Sequence, residues 1–283
     1  MRKLFITGGS SYLGQAMVPF VGQQGWDVCY TYNSTKPQDP FPGQGVQVDV
    51  RDGSRLMKLV SEYQPDAIIH LAASNRSSSE EVMVSSIEEG ANNIVLNAAR
   101  FQIPLIHMST DVVFDGTDAP YNEESPVSPP HAYGWAKANA EKSVLEYGKT
   151  KVVRPSLIYG LSQKDRSTEW IEKSIENGEG VTLFTNQIRM PVWVDTLSAA
   201  CLELIDLDFH GIVHVVGRQV MSRAEFGTKL LEWWGIDPNG LVKLEPAPDD
   251  APWPADLRME IELAGKILKT PLLGVDEVFT QLS

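Results

Sequence analysis

The sequence contains only two cysteines, Cys29 and Cys201, in 283 residues. They are too few for a disulfide framework and match no zinc spacing, so a reducing compartment is expected. Long apolar runs are also missing. Nothing approaches the roughly 18 residues that a membrane span requires, and Met1-Arg2-Lys3 runs into Leu4-Phe5-Ile6 without the longer apolar stretch of a signal peptide. The expected location is cytoplasmic, with no membrane partner. Basic residues are in short supply: 24 Lys and Arg stand against 37 Asp and Glu, a net charge of −13. Such a surface repels phosphate backbones, and nucleic acid is not an expected partner. The histidines, among them His70, His107 and His131, show no ligand spacing, so they are expected in core or surface roles and no metal is implied.

What is present is an ordinary folding composition, 42% hydrophobic and 22% charged, which excludes a disordered or fibrous chain. Short apolar runs at 3–7, 27–32, 46–48, 67–71, 105–108 and 152–153 alternate with helical stretches. Runs of this kind are strands covered on both faces, so the expected fold is α/β: a doubly wound parallel sheet of the Rossmann type. Residues 54–63 carry Leu56, Leu59 and Val60 at helical spacing behind Asp52, a capping residue, and residues 90–100 carry Ile94, Val95 and Ala98. Pro19 falls inside the first helical pattern and is expected to kink or shorten that helix. Beyond residue 160 the pattern loosens into a polar loop, a helix near 168–177 and a strand at 181–184, while the proline-rich stretch 244–256 reads as a surface loop. The expected organisation is a dinucleotide-binding domain over 1–160 and a smaller α/β lobe over 161–283, with some elements of the second part returning to the first.

Two segments carry chemistry. Thr7-Gly8-Gly9-Ser10-Ser11-Tyr12-Leu13-Gly14 lies between the first strand and the first helix. Glycines there let the backbone approach a pyrophosphate, whose charge is drawn to the free N–H groups at the helix start. Ser11 stands where a middle glycine often sits. The second strand ends in Tyr32-Asn33-Ser34-Thr35-Lys36 with no carboxylate until Asp39, so a 2′-phosphate meets an amide, hydroxyls and Lys36. This favours NADP over NAD, with NAD as the alternative. The other segment is Tyr133-Gly134-Trp135-Ala136-Lys137, whose tyrosine and lysine share one helix face. That spacing arises easily by chance; its position after Ser109-Thr110-Asp111, at the end of a parallel strand, gives it weight. An ammonium about 4 Å from a phenolate is worth on the order of 4 kcal/mol at an effective dielectric near 20, enough to favour ionisation of a group that ordinarily titrates near 10.

Thr110, Tyr133 and Lys137 together with the glycine loop resemble the extended short-chain dehydrogenase/reductase family. His70-Leu71-Ala72-Ala73, Arg154-Pro155-Ser156 and Arg189-Met190-Pro191-Val192-Trp193-Val194-Asp195 follow in the family's order. The run Ser109-Thr110-Asp111-Val112-Val113-Phe114-Asp115-Gly116 looks most like dTDP-4-dehydrorhamnose reductases. The resemblance implies that Tyr133 donates a proton, Lys137 tunes it and holds the nicotinamide ribose, and Thr110 hydrogen-bonds the carbonyl oxygen. It also implies cofactor contacts from Gly8, Ser10, Ser11, Tyr12, Leu13, Gly14, Asn33, Lys36, Asp49, Val50, Leu71, Ala72, Ala73, Pro155 and Ser156. Arg189 fits a position that binds a nucleotide-sugar diphosphate, its bland reading being a surface salt bridge, and Asn75 and Arg76 follow the fourth strand as pocket candidates. The implied activity is NADPH-dependent reduction of a keto group on a nucleotide-linked sugar or other small carbonyl compound, with a homodimer as one assembly left open. Val112 replaces the glutamate that 4,6-dehydratases carry, which disfavours elimination. An NAD-dependent nucleotide-sugar epimerase and a non-catalytic NADP-binding subunit like the methionine adenosyltransferase beta subunit stay open as alternatives.

Overall fold

A computed structural model describes residues 1–38, 41–73 and 79–282. The first half of the chain runs β1 (Lys3–Thr7), α1 (Tyr12–Gln23), β2 (Asp27–Tyr32), β3 (Gln44–Gln47), α2 (Gly53–Tyr63) and β4 (Ala67–His70). It continues with α3 (Glu80–Phe101), β5 (Leu105–Met108), α4 (Ala132–Val144) and β6 (Thr150–Arg154). The remainder supplies β7 (Ile158–Tyr159), α5 (Arg166–Glu176), β8 (Val181–Phe184), β9 (Ile188–Arg189), β10 (Val192–Trp193) and α6 (Val194–Asp206). Last come β11 (Gly211–His214), β12 (Met221–Ser222), α7 (Arg223–Trp234), β13 (Val242–Glu245), α8 (Glu262–Ile267) and α9 (Val275–Leu282).

Seven strands form one parallel sheet in the order β11-β6-β5-β4-β1-β2-β3. The order reverses beside β1, so the crevice at the C-terminal ends of β1 and β4 is where a doubly wound fold binds its ligand. On one face Met17, Val18 and Val21 of α1 pack with Leu197, Ala200, Cys201 and Leu204 of α6 over Leu4, Ile6 and Ile69. On the other, Leu56 of α2, Ile87, Ala91 and Ile94 of α3 and Ala136 and Ala140 of α4 cover Phe5, Ile68 and Val152. Both faces are therefore apolar, which is why the strands read as unbroken hydrophobic runs. Cys29 and Cys201 fall in different cores and are free, each thiol pushed up to about 12 by burial.

The later part of the chain contributes to both regions. β11 pairs with β6 at the sheet edge and α6 lies on α1, while α5, β8, α7 and β13 enclose a separate small core of Ile171, Ile175, Leu183 and Leu231. Two local expectations are corrected. Pro19 does not shorten α1, which continues to Gln23. The stretch beginning at Leu244 is not wholly a loop, because Leu244 and Glu245 end β13, which pairs parallel with β8. Among the described residues no helix is long and apolar enough to cross a membrane.

Candidate active site

The glycine loop leaves β1 through Gly8, whose φ of +74° favours glycine. A Cβ there would lie 2.8 Å from the Ala72 backbone, and one on Gly14 would lie 2.4 Å from the Gly8 carbonyl oxygen. The loop is thus wound tightly against the end of β4 and the first turn of α1. Ser11 explains its own presence: at φ −68° it caps α1, its hydroxyl accepting from the Gly14 amide at 3.0 Å. Position 11 needs no left-handed backbone, so a serine serves there. Tyr12 and Leu13 open the helix, where amides have no intrahelical acceptor and the dipole favours an anion.

This cradle floors one end of a cavity of about 800 Å³. Gly8, Ser10, Ser11, Tyr12 and Leu13 line it, as do Asn33, Asp49, Val50, Leu71, Ala72 and Ala73. Further along the same wall stand Thr110, Tyr133, Lys137, Pro155, Ser156 and Arg189. The cradle, the helix start and the length of this wall fit a dinucleotide. Two expected cofactor residues are not among those that line it. Gly14 lies behind the loop that it packs against, and Lys36 is exposed beyond Thr35, where the chain leaves the lining. The cation lining that end is Arg51, which the sequence reading missed; its guanidinium is held by Asp49 with contacts of 2.6 and 3.1 Å, and it keeps the Asp49 carboxyl below its ordinary range. Asn75 and Arg76 lie outside the described residues.

The reacting end is built by α4. His131 caps it, Nδ1 accepting from the Gly134 amide at 3.3 Å, and Gly134 presses the helix start against the turn after Thr110, since a Cβ there would lie 2.5 Å from the Val112 carbonyl oxygen. Tyr133 and Lys137 consequently face the end of β5. Lys137 is 3% exposed and donates to the Met108 carbonyl at 2.9 Å. Burial pushes its ammonium down to about 8, against the pull of Glu141.

One turn further, buried Glu141 accepts from Ser109 Oγ and, two-pronged, from Arg154 Nε at 2.9 Å and Nη2 at 2.7 Å. Arg154 also lies 5.0 Å from the centre of the Phe114 ring. This pair fastens α4 to β5 and β6 directly behind Thr110. Glu141→Ala would strand a buried guanidinium, and urea denaturation is expected to show a loss of about 3–5 kcal/mol. Unchanged stability would mean that Arg154 finds water or another partner.

Asp111 is buried, accepts from Ser156 Oγ at 2.7 Å and has Arg189 Nε at 4.0 Å; desolvation raises its carboxyl despite these partners. Arg189 departs from both readings given above. It is 2% exposed, so it is no surface bridge, and its fork is committed to the carbonyls of Ile188 at 2.7 Å, Pro254 at 2.7 Å and Ala255 at 3.2 Å. The cavity wall beyond Arg189 brings other residues the sequence reading missed: Arg166 and Arg223, with Phe226, Leu230 and Trp253. Each arginine takes the first helical position of its helix, α5 or α7. The Asp165 cap and the Ser222/Glu225 capping box announce those helix starts locally, but nothing local says that both starts meet one cavity.

Fold and reacting group belong together in one class, the extended short-chain dehydrogenases/reductases, which are NAD(P)-dependent oxidoreductases. Within it, the family model for the RmlD substrate binding domain matches residues 1–275, and the chain belongs to that family. A Haloferax volcanii protein described as "Probable low-salt glycan biosynthesis reductase Agl14" is 31% identical over 244 residues, covering 82% of this chain and 80% of that protein. Methionine adenosyltransferase 2 subunit beta of Rattus norvegicus is 28% identical over 261 residues, 87% of this chain and 76% of that one. Among solved structures, a hypothetical dTDP-4-dehydrorhamnose reductase from Sulfolobus tokodaii superposes with a TM-score of 0.81 at 28% identity, covering 98% of each chain. The dTDP-4-dehydrorhamnose reductase of Bacillus anthracis, in complex with NADP, gives a TM-score of 0.78 at 23% identity over 96% of this chain and 94% of that one, a likeness that speaks for the fold alone.

Proposed function

We propose that this chain is an NADPH-dependent reductase of a keto group on a nucleotide-linked sugar. The observation that carries the reading is a single cavity lined together by the glycine cradle, by Thr110, Tyr133 and Lys137, and by Arg166 and Arg223. Bound NADPH supplies the hydride. Thr110 Oγ1, which donates to Asp111 Oδ1 at 3.3 Å in this structure, would turn its proton to the substrate carbonyl, so that charge developing on that oxygen meets a donor. Tyr133 hands its phenolic proton to that oxygen, and the Lys137 cation favours the phenolate left behind. Lys137 is held by the Met108 carbonyl, which keeps the cation at the end of β5. Arg51, Asn33, Ser34 and Thr35 give a 2′-phosphate a cation, an amide and two hydroxyls at the adenosine end, which supports NADPH over NADH. With Arg189 committed to backbone, Arg166 and Arg223 are the cations in reach of a substrate diphosphate.

The test follows NADPH oxidation with dTDP- and UDP-linked 4-keto sugars beside small ketones and aldehydes. Turnover of the linked sugars is expected; turnover of small carbonyls alone would reject the nucleotide requirement, and no turnover would favour the regulatory reading represented by the methionine adenosyltransferase relative. Arg223→Ala is expected to raise KM for the linked sugar about tenfold or more while NADPH affinity stays within twofold. Equal loss for small ketones would remove Arg223 from diphosphate binding.

A further inference from the structure

A side chain of the glycine cradle reaches the loop that opens α5. Tyr12 takes the first position of α1 and lines the cavity, and its hydroxyl donates to the Gln163 carbonyl at 3.1 Å. Gly160 leaves room for this contact, since a Cβ there would lie 2.8 Å from the Tyr12 hydroxyl oxygen and 3.3 Å from the Gln163 carbonyl oxygen. Burial and the Asp165 charge hold the phenol above its ordinary range, so the group stays a donor. The same loop is tied on its other side. The Leu161 carbonyl accepts from Trp233 Nε1 at 3.3 Å, and Lys164 meets Glu172 at 2.5 Å with its ammonium 5.4 Å from the centre of the Trp234 ring. Those ties run to α7 and α5, whereas the Tyr12 bond crosses to α1. The loop ends in Asp165, which caps α5 by accepting from the amides of Ser167 at 2.8 Å and Thr168 at 3.2 Å, and Arg166 follows as the first helical residue. Asp165, Arg166, Ser167 and Thr168 all line the cavity.

Resting on the reading of Arg166 and Arg223 as diphosphate cations, we propose that Tyr12 is a positioning residue that couples the two ligands of the cavity: a dinucleotide in the cradle tightens the binding of a nucleoside diphosphate at α5. The amides of the first turn of α1 have no intrahelical acceptor, and a pyrophosphate set on them orders that turn. Tyr12 belongs to the turn, so its ring is fixed at the same moment. The fixed hydroxyl then holds the Gln163 carbonyl, and the loop delivers the Asp165 cap and Arg166 to the second anion, which has less disorder left to remove. Such coupling is reciprocal, and the nucleoside diphosphate tightens the dinucleotide by the same factor.

The test measures dTDP and UDP affinity by titration calorimetry, with and without saturating NADP, and the hydrogen exchange of residues 160–168 in the same two states. In the parent protein NADP is expected to tighten whichever diphosphate binds by about fivefold or more and to slow exchange in that segment. Tyr12→Phe keeps the ring and the backbone but lacks the hydroxyl, and Gly160→Ala crowds the hydroxyl away from Gln163. In each the factor is expected to fall below about twofold, with exchange of 160–168 alike in both states, and the double variant is expected to lose no more than either single one because both remove the same bond. Exchange in the sheet, unchanged, checks that the variants fold. Equal diphosphate affinity with and without NADP in the parent, or a Tyr12→Phe factor equal to the parent's, would overturn the coupling and leave the diphosphate reading standing. Failure of both dTDP and UDP to bind the parent would overturn the two together. Coupled binding in a protein that turns over no keto-sugar would keep this assignment and lose the reductase reading.

Discussion

Replacing Tyr133 by phenylalanine is expected to lower turnover of the keto-sugar by about a thousandfold, within the range that a positioned general acid contributes, and to leave NADPH binding within twofold. Phenylalanine keeps the ring that packs against the apolar cores on both sides of α4, so the fold should be retained. What is lost is the phenolic proton that is handed to the substrate oxygen. Thr110 would still donate its hydrogen bond and Lys137 would still rest on the Met108 carbonyl, so the two measurements should separate. Stopped-flow or steady-state absorbance at the NADPH band reads the first, fluorescence titration with NADPH the second. Turnover within tenfold of the parent would remove Tyr133 as proton donor.

Acidification below neutrality is expected to destabilise the fold through its buried histidines. His70 and His107 stack with centroids 5.3 Å apart beneath the cofactor crevice, both 1% exposed. Burial, with the nearby Lys137 charge, pushes His70 down to about 3, and burial with the charges of His70 and Lys137 holds His107 well below its ordinary value. His214, on β11, is pushed down to about 3 by burial and by Arg154, although Glu123 lies 4.0 Å away. Its Nδ1 is within 3.2 Å of the Glu260 carbonyl, which fixes the neutral tautomer with the proton on Nδ1 and leaves desolvation dominant.

An unfolded histidine titrates near 6.5. Between about 6.5 and 3 the unfolded chain binds protons that the folded chain refuses, so stability is whole above 6.5 and drains away as pH falls toward 3. At pH 5 the His70 and His214 rings each cost about 2 kcal/mol, together about 4, a large share of an ordinary domain stability of roughly 5–15 kcal/mol, and His107 adds in the same direction. Lowered carboxylates such as Asp115, held at about 2, add their own loss only at lower pH. Urea midpoints at pH 7.5 and pH 5 check this, and His107→Gln should flatten the slope. Equal stability at both pH values would mean that the rings are hydrated or shift to accept protons.

The strands at 3–7, 27–32, 105–108 and 181–184 were legible to the residue, three of them because a sheet covered on both faces demands unbroken apolar runs. The strand read at 152–153 is longer because Thr150, Lys151 and Arg154 are buried polar ends, and the partner that makes Arg154 tolerable, Glu141, is found only once α4 is laid beside β6. α3 begins at Glu80 rather than near Gly90 because its first turns are acidic and half-exposed, and its start depends on the Ser79 cap. The glycine cradle and the Tyr133–Lys137 spacing are local patterns, so they could be read. Arg51, Arg166, Arg223 and Trp253 could not, because each comes to the cavity from a different element and carries no signature of its own. Arg189 shows the converse: a sequence position can be right for the wall while burial assigns the side chain to the backbone behind it.

The pairing of β11 with β6 has a consequence for biosynthesis. A ribosome delivers the nucleotide crevice early but the sheet's last strand only after residue 211, together with the α6 layer that shields α1. Until then a nascent or truncated product exposes a bare ladder edge along β6 and an uncovered apolar helix, the kind of surface that recruits another chain or a chaperone. Expression of amino-terminal pieces should accordingly yield aggregates, and fusion partners are better placed after the carboxyl end than spliced before β11.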